Sequence, residues 1–77
     1  MSKPEVKLGL YRHYKGKNYE VTAVAFHSDT MEEFVVYKAL YEGKLPFGQL
    51  FVKPVKDFLI DIEIDGKRVP RFRYIGR

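Results

Sequence analysis

Asp65-Gly66 constrains the fold more than any other pair of residues in the chain. It follows Leu59–Ile64, where Ile60, Ile62 and Ile64 are expected to face inward and Asp61 and Glu63 outward. It precedes Lys67–Tyr74, a second strand-like run. Asp-Gly between two such segments is the signature of a two-residue hairpin, because both central residues must take positive φ. Pro70 has no amide hydrogen to give to a ladder, so the returning strand is expected to lie at a sheet edge near that point.

The rest of the chain is punctuated in the same way. Gly9–Tyr14 reads as a first strand and Lys15-Gly16-Lys17-Asn18 as a turn. Tyr19–Phe26 reads as a second strand, with Tyr19, Val21, Ala23 and Ala25 on one face. Phe34–Tyr41 allows two readings. Thr30 and Glu33 have capping-box spacing and Gly43 could stop a helix, but the block Phe34-Val35-Val36-Tyr37 prefers a strand. Glu42–Gly48 is a loop, Gln49–Lys53 a short strand ended by Pro54, and Val55–Phe58 a single helical turn whose Phe58 would plug one end of the core. Five or six short strands predict an all-β domain, and an SH3-like barrel is the economical way to close it. The alternatives are an OB-like barrel, or an α+β fold if residues 31–42 are helical. The expected organisation is a flexible N-terminal segment, residues 1–8, followed by one β-barrel domain, residues 9–75.

Composition bounds the function. A 77-residue chain buries only about 60–65% of its unfolded surface, which leaves little room for a deep enzyme cavity. There are no cysteines and only two histidines, His13 and His27, so neither disulfides nor a thiolate metal site is available and no cofactor is expected. Six Phe and six Tyr must supply much of the buried area. No apolar run has the length of a membrane span and the N-terminus lacks a signal-peptide pattern, so the expectation is a cytoplasmic protein with no membrane partner. The net charge of +4 is uneven. Residues 1–17 and 67–77 are strongly basic, whereas residues 18–66 carry nine acids against four cations. If the two ends meet in space they form one basic patch, which bears on partners rather than on fold.

Two basic, aromatic segments carry the candidate site. In a first strand, Tyr11 and His13 share one face and Arg12 and Tyr14 the other. In the last strand, Arg71 and Arg73 share one face, and Phe72 and Tyr74 the other. A tyrosine ring beside cations suits stacking and anion contact, and His13 titrates near neutral pH when unperturbed. His27-Ser28-Asp29 holds a base, a hydroxyl and a carboxylate, but working triads are assembled from separated positions, and a polar loop accounts for these residues. Glu32 and Glu33 are neighbours and do not face each other across a cleft as paired acid–base carboxylates must.

Several motifs resemble a family of short bacterial domains catalogued as a domain of unknown function. Gly9, Tyr11, His13, Tyr14, Lys15 and Gly16 match its opening Gly-x-Tyr-x-His-Tyr-Lys-Gly. Ala25-Phe26-His27-Ser28 matches its Ala-x-His-Ser element, and Val35-Val36-Tyr37-Lys38-Ala39-Leu40-Tyr41 its Val-Val-Tyr-x-Ala-Leu-Tyr. Asp65, Gly66, Val69, Pro70, Arg71 and Phe72 match its closing Asp-Gly-x-x-Val-Pro-Arg-Phe. The resemblance spans residues 9–74. It departs at Phe51-Val52-Lys53-Pro54, where the family usually has Trp-Val-Arg-Pro. Phe loses an indole donor there, and Lys loses a bidentate fork.

The sequence therefore points first to a small non-enzymatic binding module with a basic, tyrosine-containing face. Tyr11, Arg12, His13, Tyr37, Lys53, Arg71 and Arg73 are its candidate ligand-binding residues, with an acidic protein segment or a small anionic ligand as partner. Nucleic-acid binding through the same face is the alternative, a small enzyme a more distant one, and an exposed edge strand offers a route to a homodimer.

Overall fold

The computed structural model describes residues 6–77. Their elements run β1 (Gly9–His13), β2 (Asn18–Phe26), β3 (Glu33–Ala39), β4 (Leu50–Pro54), α1 (Val55–Phe58), β5 (Asp61–Ile64), β6 (Lys67–Pro70) and β7 (Phe72–Gly76). Five strands form an antiparallel sheet in the order β4-β3-β2-β1-β7, and β5 and β6 form a separate hairpin. The domain is mostly β, with one helical turn. Among the described residues the strands do not close into a barrel: β4 and β7 are the two edges of an open sheet.

The hairpin forms where the sequence places it. Asp65 has φ 51° and Gly66 φ 80°, the positive pair that a tight two-residue turn needs. The run expected to be one last strand is two. Pro70 ends β6, and Arg71 sends its chain groups to different partners. Its amide donates to the Ile60 carbonyl at 3.1 Å, and its carbonyl accepts from the Tyr14 amide at 2.9 Å. The chain thereby leaves the hairpin and joins β1 as β7. Ile60 and Ile64, expected inward, are exposed, because the hairpin packs as its own sheet.

Residues 33–39 are a central strand, which removes the helical reading of 31–42. Val35, Tyr37 and Ala39 are buried and alternate with half-buried neighbours, and β2 and β4 occupy both edges of the strand. The polar residues before it build a turn instead of a cap. The His27 amide donates to the Glu32 carbonyl and the Met31 amide to the His27 carbonyl, both at 2.8 Å. Thr30 Oγ1 accepts from the Glu32 amide.

β2 departs from simple alternation. A bulge lies between Val21, which pairs with Tyr37, and Ala23, which pairs with Val36. Thr22 Oγ1 donates to the Val36 carbonyl at 3.2 Å beside the bulge. Beyond it Val24, not Ala23 or Ala25, lies opposite the buried Val35, so the expected face holds only for Tyr19 and Val21.

The core lies on one face of the five-stranded sheet. Tyr11, Val21, Val35, Tyr37, Phe58 and Phe72 are buried together, with Val6, Tyr19, Phe51 and Val55 packed around them. Phe58, at the end of α1, is 1% exposed and fills the role expected of it. The expected flexible segment 1–8 falls partly outside the described residues. Of the rest, Val6 packs on the core, and the Lys7 carbonyl accepts the Tyr11 hydroxyl at 2.8 Å.

Candidate functional site

The pairing register decides which side chains meet. His13 lies opposite Phe72, Tyr11 opposite Tyr19, Val21 opposite Tyr37, Tyr37 opposite Phe51, and Val35 opposite Lys53. Directly opposed residues project from the same face of a sheet. The core face therefore carries His13, Tyr19, Tyr37, Phe51, Lys53 and Phe72 side by side, drawn from five strands.

The rings form a continuous cluster, edge-to-face except for the tilted Tyr37–Phe51 pair. His13 sits 4.9 Å from Phe72 and 6.3 Å from Tyr19 between ring centroids. Tyr19 touches Tyr37, Tyr41 and Phe72 at 5.4, 5.4 and 5.6 Å, and Tyr37 meets Phe51 at 5.7 Å. The Tyr19 and Tyr41 hydroxyls share a hydrogen bond of 2.6 Å. Lys17 Nζ stands 5.1 Å from the centre of the Tyr41 ring, a cation on the outer side of the cluster.

Burial and charge tune the polar atoms of this face. Burial lowers the His13 pKa, and the neighbouring charges of Arg71, Lys15 and Lys53 lower it further. Its Nδ1 accepts from the Lys15 amide at 3.2 Å, so the neutral ring carries its proton on Nε2 and is a donor there. Burial raises the Tyr37 phenol, the Tyr41 phenol adds to that rise, and Arg71 opposes it. Tyr19 is raised strongly, by burial first and then by its bond to Tyr41. The Tyr19 and Tyr37 phenols thus remain neutral hydroxyls through the physiological range. Neutral O–H and N–H donors over an aromatic floor, with Arg71 and Lys53 alongside, suit an anion better than a cation.

Of the residues singled out in the sequence, His13, Tyr37, Lys53 and Arg71 come together here. Tyr11 and Tyr37 are both buried, 5% and 6% exposed, and the Tyr11 hydroxyl is given to the Lys7 carbonyl. Arg12 and Arg73 lie opposite each other on the outer face of the sheet. Arg71 and Arg73 do not share a strand face as alternation implies, because Arg71 precedes β7. Tyr19, Tyr41 and Phe51 complete the cluster without having been picked out as site residues. Their signal was in the sequence, since Tyr19 opens the second strand-like run, Tyr41 ends the run Val35–Tyr41, and Phe51 is the one aromatic of the short strand before Pro54.

His27 serves its turn, with Nδ1 accepting from the Asp29 and Thr30 amides at 3.2 and 3.3 Å. Among the described residues, no three His, Asp or Glu side chains group as metal ligands do. Nor is any helix among them long and apolar enough to cross a membrane.

Residues 9–74 match a family described as "Protein of unknown function (DUF1653)". A crystal structure of a DUF1653 protein from Bordetella bronchiseptica is similar over 94% of this chain and 90% of its own, with 32% identity and a TM-score of 0.81. No curated protein matches the chain.

Proposed function

The chain belongs to the DUF1653 family, and we propose that it is a small binding module that takes an anionic group on the tyrosine-lined face of its sheet. One observation carries the reading: the register delivers His13, Tyr37 and Lys53 from three strands to one face, with Arg71 in electrostatic reach of both His13 and Tyr37. Lys53 and Arg71 supply charge, and His13 Nε2 and the tyrosine hydroxyls supply directed donors. Phe51 and Phe72 form the apolar floor that keeps those contacts partly desolvated. The SH3-like reading of the fold belongs to the same proposal, supported by the all-antiparallel order and the single helical turn.

Tyrosine fluorescence tests it, because the chain has no tryptophan to mask the signal. Pyrophosphate, citrate and a glutamate-rich peptide are titrated in turn, then single-stranded and duplex oligonucleotides at two salt concentrations. Saturable binding of at least one small anion or the peptide, lost in Arg71→Gln, supports the module. Binding of oligonucleotides alone, falling steeply with salt as counterion release requires, would replace it with the nucleic-acid reading. No saturable change with any probe at low salt would remove both.

A further inference from the structure

The outer face of the sheet holds a second arrangement, which adjoins the first at His13 but includes neither Tyr37 nor Lys53. Arg12 and Arg73 are directly opposed across β1 and β7, and like charges so placed destabilise a sheet unless something neutralises them. Arg12 Nε donates to Asn18 Oδ1 at 3.2 Å, which orients its guanidinium through an uncharged partner. The pair borders a cleft of about 350 Å³ between the sheet and the β5–β6 hairpin. Ile64, Val69 and Pro70 of the hairpin form the facing wall, and Ile75 extends the floor beside Arg73. Ile64 and Ile75 are both left exposed. The volume falls at the lower end of the roughly 300–1,000 Å³ of small-molecule sites, which are typically apolar with a few convergent polar groups.

We propose that this cleft binds a small amphipathic carboxylate. The carboxylate lies between the Arg12 and Arg73 guanidiniums, whose forked N–H groups match its two oxygens. The hydrocarbon body lies against Ile64, Val69 and Ile75. Charge complementarity selects this occupant. A neutral alkyl chain leaves two adjacent cations uncompensated, and a bare inorganic anion leaves the apolar wall wet.

Amide chemical-shift mapping with octanoate, octanol and acetate tests the proposal on the intact chain. Octanoate should give saturable shifts centred on Arg12, Val69, Arg73 and Ile75, with acetate and octanol weaker by about tenfold or more, the scale of one charge-assisted contact or of the apolar body. The Arg12→Gln, Arg73→Gln double variant should weaken octanoate by a similar factor. Equal binding of octanol, absence of saturable octanoate shifts, or shifts centred on Tyr37 and Lys53 would overturn the proposal. So would undiminished binding in a folded double variant. If that variant does not fold, the comparison of octanoate with octanol on the unmodified chain decides. Pyrophosphate binding at the tyrosine face is read from Tyr37 and Lys53, so either site can fail without the other.

Discussion

The ring of Phe58 lies flat on that of Phe72, with centroids 4.3 Å apart and planes 6° from parallel. This contact ties the one helical turn to the last strand, and the same two rings meet Tyr37 edge-on at 5.7 and 5.6 Å. Core and candidate site are thus continuous. The underside of the binding face is the hydrophobic core itself. Phe58→Ala should cost about 3–5 kcal/mol, the usual range for deleting a buried aromatic, measured as the urea midpoint with an unchanged slope. A loss under about 1 kcal/mol would mean that α1 is not the plug of the core.

Gly9 is held by close approach as well as by conformation. Its φ is 134°, and a Cβ there would stand 2.7 Å from the Gly76 carbonyl oxygen on β7. Gly9→Ala should destabilise the domain by about 1–3 kcal/mol, from strained backbone and from pushing β7 away. Hydrogen exchange should speed up first at the β1–β7 pairing. Uniform exchange rates in the variant would contradict this placement of the strain.

The Tyr19–Tyr41 hydroxyl pair makes a spectroscopic prediction. In Tyr41→Phe, the Tyr19 phenol should titrate at lower pH than in the parent. It should still lie above the ordinary tyrosine value, since burial is the larger cause of its shift. The stability cost should be about 0.5–1.5 kcal/mol for one hydrogen bond. Ultraviolet absorbance titration reads the first and urea unfolding the second.

Phe51 and Lys53 both lie on the candidate face. Lys53→Arg should therefore tighten anion binding several-fold, because a guanidinium fork replaces a point charge. The change should leave stability within about 0.5 kcal/mol, as for most surface substitutions. Equal affinity in the two proteins would place Lys53 outside the contact.

Much of this architecture was legible in local chemistry. Asp65-Gly66 marked the hairpin, Val55–Phe58 the helical turn, and Phe34-Val35-Val36-Tyr37 a strand, because turn geometry and β-branching act over a few residues. Less legible were features set by distant partners. The bulge at Thr22 exists because β2 must satisfy β3, and it reversed the face expected of Ala23 and Ala25. The break at Arg71 arises from competing hydrogen bonds to Ile60 and Tyr14, which no periodicity encodes. The site followed the same division. His13, Tyr37, Lys53 and Arg71 stood out by residue type, but which of the five cations in residues 67–77 turns toward the tyrosines depended on that break.

His13 gives the most direct test of the central claim. Its folded pKa lies below the ordinary imidazole value of 6.5, so between the two values the unfolded chain binds more protons than the folded one. The stability contribution is complete above about pH 6.5 and is lost as pH falls through the lower folded value. A bound anion reverses the balance by favouring imidazolium. The measurement is the His13 pKa, from its ring proton shifts, in chloride and then in sulfate, which does not itself titrate in this window. The account predicts a depressed value in chloride and a clear rise in sulfate, with amide shifts at Lys53 and Tyr37. An equal His13 pKa in both salts, or a rise accompanied by shifts at Arg12 and Arg73 but none at Lys53 and Tyr37, would contradict an anion site on this face.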